Sequence, residues 1–202
     1  MSGRRLLLWR HGRTEWNASG RMQGQSDVAL DATGIQQARE VAPLIAAEGP
    51  DAIVSSDLVR AQDTALALGS LLELPVATDP RLRESDFGPW QGLTAVEISE
   101  RYPDEYARWQ AGEEVDGCGV EELDDLAQRA GEAFQDAAAL APDATVLAFC
   151  HGGTAKYGVA ALLGWPAQVW PTIGPMGNCR WIELRRDTVR GWQLRGYNLG
   201  GS

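Results

Sequence analysis

Two spacings of apolar residues alternate along the chain. Short unbroken runs at residues 5–9, 52–55 and 145–150 have the length and composition of buried strands. A brief strand is expected near Val76, and two more close the chain near residues 179–184 and 192–197. Between these runs the apolar positions fall three and four apart, the spacing of one helix face. Residues 33–47 carry Ile35, Ala38, Ala42 and Ile45 on that face before Gly49-Pro50 ends the pattern. Residues 58–72 carry Leu58, Ala61, Ala65, Leu68 and Leu72. A long helix over 121–140 follows from Leu123, Leu126, Ala127, Ala130, Phe134 and Ala137, and a last one over 154–163 stops at Gly164 with Pro166 beyond. Thr94 and Glu97 have the spacing of a capping box opening a short helix. Residues 80–92 read as a loop, and the polar, glycine-rich stretch 112–119 as an exposed connection.

Strands alternating with helices predict an α/β sandwich with a mainly parallel central sheet, as one domain over residues 1–202. In such sheets ligands gather at the carboxyl ends of the strands. The chain has only two histidines, His11 and His151. Each lies directly after a strand run and directly before a glycine, so both are expected at that edge.

Composition narrows the partners. The formal net charge of −10 argues against gripping a nucleic-acid backbone, so any phosphate site must be a local cationic pocket. The apolar run Leu6–Leu7–Leu8–Trp9 is too short for a signal-peptide core or a membrane span, which leads to an expectation of a cytoplasmic protein with no membrane partner. Cys118, Cys150 and Cys179 form no CxxC pair, so reduced packing thiols are expected and no zinc site.

Four segments carry candidate chemistry. In Arg10-His11-Gly12-Arg13, an unprotonated ring nitrogen could attack phosphorus while guanidinium groups keep the imidazole neutral and hold phosphoryl oxygens. Alone, the same residues would suit a surface turn with solvated arginines. Arg60 follows Ser55-Ser56-Asp57 near a helix start, where anions are favoured, although an exposed arginine paired with Asp57 or Asp63 has the same pattern. Glu84 precedes the aromatic, glycine-rich Phe87-Gly88-Pro89-Trp90-Gln91-Gly92, a setting in which a partly desolvated carboxyl could donate a proton to a leaving oxygen. Standing alone it would be a solvated charge. His151 could donate a hydrogen bond to the phosphoryl group, or could simply be structural. Trp90, Trp165, Trp170 and Trp181 suit packing first and a sugar-binding wall second.

Taken in order, strand-Arg-His-Gly, Ser-Ser-x-x-x-Arg-Ala-x-x-Thr-Ala, Leu-Arg-Glu with Gly-x-Trp-Gln-Gly, and a late strand-His-Gly-Gly resemble the histidine phosphatase (phosphoglycerate mutase-like) superfamily. The resemblance runs from Leu6 to at least Leu163. It implies a three-layer α/β/α sandwich, His11 as nucleophile, Arg10, Arg60 and His151 as the phosphate pocket, and Glu84 as proton donor. It also implies Asn17, Gln23, Gly24 and Gly152 on the substrate side, a small phosphorylated metabolite as substrate, and no metal or organic cofactor. Relatives often dimerise, so a homodimer is a further option, though no segment points to an interface.

Within the superfamily, Arg21-Met22-Gln23-Gly24-Gln25, Trp90-Gln91-Gly92-Leu93-Thr94 and Met176-Gly177-Asn178 look like the branch acting on glucosyl-3-phosphoglycerate. There are departures from the common pattern. Cys150 replaces a small residue before the histidine, and the usual Gly-Glu-Ser reads Gly119-Val120-Glu121-Glu122, which leaves the substrate role of that loop open. Lys156, unusually placed after His151-Gly152-Gly153, could reach a second anionic group or lie solvated. A phosphoglycerate mutase is the first alternative, but similar mutases carry Tyr and Lys where this chain has Phe87 and Ala95, and paired arginines that are missing here. A non-catalytic phospholigand-binding protein is the second, disfavoured because none of the five core residues is lost.

Overall fold

The computed structural model describes residues 4–113, 115–141 and 143–200. The first half contains β1 (Arg5–Arg10), the single-turn α1 (Glu15–Ala18), α2 (Ala32–Ala46), β2 (Ala52–Ser55), α3 (Val59–Leu72) and β3 (Val76–Thr78). After it come α4 (Ala95–Arg101), α5 (Pro103–Ala111), α6 (Leu123–Ala139), β4 (Thr145–Cys150), α7 (Gly152–Leu162), β5 (Trp181–Asp187) and β6 (Gly191–Leu199).

The strands form one sheet in the order β3-β2-β4-β1-β5-β6. β3, β2, β4 and β1 run parallel, with Val76 opposite Ile53, Ile53 opposite Leu147, and Leu7 opposite Leu147. β5 and β6 form an antiparallel hairpin that adds to the β1 edge, Leu8 facing Ile182. Alternate side chains of β1 and β4 enter opposite layers, which is why their sequences are apolar throughout. Leu6, Leu8, Val146 and Ala148 pack with Phe134 of α6 and Val159 of α7. Leu7, Trp9, Leu147 and Phe149 pack with Ala42 of α2 and Leu68 of α3. The expected three-layer α/β/α architecture follows from that division. Each fully buried leucine of β1 contributes about 1.5–3 kcal/mol relative to an exposed one.

The capping box is present: Thr94 Oγ1 accepts from the Glu97 amide, and Glu97 Oε2 accepts from the Thr94 amide. One helix was missed and two local expectations need correction. α5 was not legible, because its few apolar positions, Tyr106 and Trp109 among them, give a weak stripe; its punctuation, Pro103 at the start and left-handed Gly112 at the end, was the available signal. The stretch 112–119 is not wholly exposed, since Val115 is 4% exposed and joins Trp90, Ile98 and Tyr106 in a separate small core. α7 begins at Gly152, two residues before the expected start at 154.

Candidate active site

β1 and β4 are neighbours in register, Arg10 opposite Cys150, so the residues just beyond them, His11 and His151, emerge side by side. Their ring centroids are 5.1 Å apart. The His11 amide donates to the Cys150 carbonyl at 3.2 Å, extending the ladder one step past the strand ends. Two further contacts hold the turn after His11. The Gly12 amide donates to Thr64 Oγ1 of α3, and a Cβ on Gly12 would lie 2.6 Å from the Gly34 carbonyl oxygen of α2. Glycine is required there because two backbones meet.

His11 is buried, and its Nδ1 lies 2.7 Å from the Gly12 carbonyl oxygen. A carbonyl only accepts, so Nδ1 carries the proton and Nε2 keeps its lone pair. Burial, then the Arg60 and Arg10 guanidinium groups, hold the imidazole well below its usual value near 6.5. The ring is therefore neutral at neutral pH, with one nitrogen available to an electrophile.

Arg60 stands in the first turn of α3 and is fully buried. Its Nη1 and Nη2 donate to the Ser26 and Gly24 carbonyls, and its Nε donates to His151 Nδ1 at 3.2 Å. Burial pushes its pKa down to about 10, partly offset by Glu84 and Asp27, so it remains cationic. With Nδ1 of His151 accepting, its Nε2 carries the proton and donates to Ser56 Oγ at 2.9 Å. Both ring nitrogens of His151 are thus engaged, Nδ1 with Arg60 and Nε2 with Ser56.

Arg10 donates through Nη1 to the Met176 carbonyl, while its buried Nε has no partner among the described residues. Leaving a buried charged donor unpaired costs about 1–3 kcal/mol or more, so an anion bound here would be favoured. Gly152, at the amino end of α7, lies against this group; a Cβ there would be 3.6 Å from Arg10 Nε. The helix end supplies a second attraction for negative charge.

Glu84 occupies a different environment from the aromatic loop that its sequence neighbours suggested. Its Oε2 accepts from the Gly153 amide and its Oε1 from the Thr154 and Ser85 amides, all at 3.0 Å, so it is seated on the start of α7. A clamp beneath it was not legible in the sequence. Arg129 of α6 donates to the Arg81, Arg83 and Glu84 carbonyls and makes a bidentate pair with Glu121 at 2.6 and 2.8 Å. Glu121 also accepts from the Asp86 amide, so every N–H of Arg129 and both Glu121 oxygens are used to hold residues 81–86.

The remaining expected residues lie around one cavity of about 490 Å³ that also contains Arg10, His11, Arg60 and Glu84. Asn17, Gln23, Gly24 and Gly152 all line it. Asn17 Oδ1 accepts from the amide of Thr14 and from Asn178, Gln23 accepts from Thr14 Oγ1, and Gly24 adopts a left-handed φ of 54° that directs its carbonyl to Arg60. Gln91, from the Trp-Gln-Gly block, pins this loop through the Gln25 and Ser26 amides. Ser85 was missed: it is buried on the cavity wall, and its hydroxyl has no partner among the described residues. Cys150 and Cys179 are core residues whose thiols burial pushes up, Cys179 to about 12. Among the described residues no cluster of His, Cys, Asp and Glu could hold a metal ion, and no helix is long and apolar enough to cross a membrane.

The two neutral imidazoles have a consequence for stability. His151, like His11, is held well below 6.5, by burial first and then by Arg60. An unfolded chain protonates both near pH 6.5, so unfolding takes up protons and stability falls as pH drops below that value. Urea unfolding at pH 7.0 and 5.5 should show a loss of stability at the lower pH, part of which disappears in His11→Ala. An equal stability at both pH values would mean the folded imidazoles protonate freely.

The sequence profile of the histidine phosphatase superfamily (branch 1) matches residues 6–200. The chain is similar to glucosyl-3-phosphoglycerate phosphatase of Mycolicibacterium vanbaalenii, 41% identical over 195 residues, which covers 93% of this chain and 87% of that one. Its fold matches mycobacterial glucosyl-3-phosphoglycerate phosphatase complexed with VO3 at a TM-score of 0.88 and 38% identity, over 98% of this chain and 100% of that one. It also matches phosphoserine phosphatase from Entamoeba histolytica in complex with 3-phosphoglyceric acid, TM-score 0.84 and 28% identity, over 97% of each chain.

Proposed function

The chain belongs to the histidine phosphatase superfamily and is a phosphomonoesterase of small phosphorylated metabolites, and from that premise we propose that it hydrolyses glucosyl-3-phosphoglycerate through a phosphorylated His11. The observation that carries the mechanism is the His11 ring, with Nδ1 tied to the Gly12 carbonyl and no partner on Nε2 among the described residues, in a cavity also lined by Arg10, whose buried Nε has none there either.

In this reading Nε2 attacks phosphorus, an N–P bond forms, and the ester P–O bond breaks. The leaving alkoxide takes a proton from Glu84. Water then attacks the phosphohistidine, Glu84 takes the proton of that water, and the N–P bond breaks to release inorganic phosphate. Arg10, Arg60 and the α7 amino end balance the charge of the phosphoryl oxygens in both steps. His151 holds the Arg60 fork in place and Ser56 fixes the His151 tautomer, which supports a positioning role for both. Asn17, Gln23, Gly24 and Gly152 stand on the cavity wall where the rest of the substrate would lie. The substrate assignment is supported by the relatives named above and by the size of the cavity, which exceeds what a phosphate needs.

A panel of glucosyl-3-phosphoglycerate, 3-phosphoglycerate and phosphoserine, scored by released phosphate, tests the assignment. The glucosylated compound should have the highest kcat/KM, by at least about tenfold, a difference of about 1.4 kcal/mol. Faster phosphoserine hydrolysis would overturn the substrate, and interconversion of 2- and 3-phosphoglycerate without phosphate release would overturn the phosphatase reading.

A further inference from the structure

The catalytic cavity does not end at the phosphoryl site. It meets a neighbouring cavity of about 410 Å³, and Trp109, Leu123, Lys156, Tyr157 and Pro171 line both. The second cavity also presents Trp170, Gln110 and Asp124. Its aromatic walls are braced: Trp170 donates its indole N–H to the Trp165 carbonyl and meets Tyr157 edge to face at 5.7 Å, and Trp109 stacks on Tyr106 at 5.8 Å.

Lys156 stands at the junction, and it is the only lysine in a chain of 28 acidic residues. It lies four positions after Gly152 on α7, hence on the same helix face and about one turn, ~5.4 Å, beyond the amino end that faces Arg10. Its ammonium sits 5.0 Å from the Tyr157 ring centroid and pairs with no carboxylate among the described residues. Partial burial lowers its pKa, the response of a cation that has lost water without gaining a counter-ion.

We propose that Lys156 and the second cavity form a distal subsite, in which the ammonium binds a substrate carboxylate and the aromatic walls take an uncharged pyranosyl ring. The spacing suits a phosphoglycerate, whose phosphorus and carboxylate carbon are four bonds apart, a span of ~5 Å at bond lengths near 1.5 Å. A sugar ring offers apolar C–H faces for Trp109, Tyr157 and Trp170, and hydroxyls for Asp124 and Gln110. With Lys156 at the junction and Asp124 on the wall of the second cavity, one orientation is favoured, carboxylate at the lysine and neutral hydroxyls at Asp124.

The inference rests on the phosphatase reading above and is tested separately from its substrate. In Lys156→Met, kcat/KM for glucosyl-3-phosphoglycerate and 3-phosphoglycerate should fall about 10–100-fold more than for p-nitrophenyl phosphate, the loss of one charged hydrogen bond, with KM carrying the change. Lys156→Arg should recover part of it. Asp124→Ala, at an exposed position, should raise KM for the glucosylated substrate several-fold more than for 3-phosphoglycerate. Equal losses across all three compounds in Lys156→Met would overturn the carboxylate contact, and equal effects of Asp124→Ala on the two glycerates would overturn the sugar contact. If the wild type turns over neither glycerate, the proposed substrate fails, but the lysine is still tested. The inhibition constant of 3-phosphoglycerate against p-nitrophenyl phosphate hydrolysis should then rise 10–100-fold in Lys156→Met, and an unchanged constant overturns the contact.

Discussion

Replacing His11 with alanine is expected to stop turnover, lowering kcat on any phosphomonoester by more than ~10³-fold while the protein still folds. The two halves of that expectation come from different parts of the structure. Catalysis is lost because the chain's second imidazole has no free nitrogen to replace the first: His151 has Nδ1 committed to Arg60 and Nε2 to Ser56. The fold survives because the hydrogen bond that the His11 ring makes among the described residues is local, to its neighbour's carbonyl, while the sheet is held by Leu6 to Trp9 before it. Truncation also removes a neutral group, so the remaining cavity can admit water without stranding a charge. The measurement is acid-labile incorporation of labelled phosphate during turnover, present in wild type and absent in the variant, with thermal unfolding recorded on both. A His11→Ala protein that folds and retains near-wild-type phosphate release would end the phosphohistidine mechanism.

Arg129→Met is expected to produce the largest loss of stability among changes outside the sheet core, about 3–5 kcal/mol, the cost of breaking a mostly buried ion pair by removing one member. Arg129 and Glu121 side chains are 20% and 15% exposed, so the stranded Glu121 carboxylate would recover little solvation. The Arg81, Arg83 and Glu84 carbonyls would lose their donors in the same step. The double variant Arg129→Met with Glu121→Leu should be more stable than Arg129→Met alone, because it removes the stranded charge. A purely structural role predicts proportional losses on every substrate. Positioning of Glu84 predicts a selective loss instead: Arg129→Met should behave as a weaker Glu84→Gln, losing about tenfold or more in kcat on an alkyl phosphate relative to p-nitrophenyl phosphate, whose phenolate leaves without a proton. Equal loss on both substrates would confine Arg129 to stability.

The sheet and its helices were legible because strand burial and helix faces are local patterns. Residues 6–9 are apolar without interruption, which only a strand covered on both faces requires. The Thr94–Glu97 spacing marked a helix start that is present. The short α1 and α5 were missed for the converse reason: one turn, or a helix with few apolar positions, leaves almost no period to detect. Candidate catalytic residues could be named because reactive groups are few here, with two histidines and each beside glycine at a strand end. Their hydrogen-bond partners could not. Arg60 and His151 are 91 positions apart, Gly153 and Glu84 are 69 apart, and Arg129 reaches back 45 positions to the Glu84 carbonyl. No spacing rule connects such residues, because their meeting depends on which strands are neighbours and how each loop returns.

By itself, then, the amino-acid sequence determined the layers, the strand edge at which both imidazoles sit, and the identity of the groups able to do phosphoryl chemistry. Tertiary structure decided which of the two imidazoles has a free nitrogen, placed Glu84 on the start of α7 with Arg129 and Glu121 beneath it, and left Lys156 between two cavities with no carboxylate partner among the described residues. Local apolar periodicity is set by burial along one element, whereas protonation state, free lone pairs and unmatched charge are set by the partners that packing brings from elsewhere in the chain.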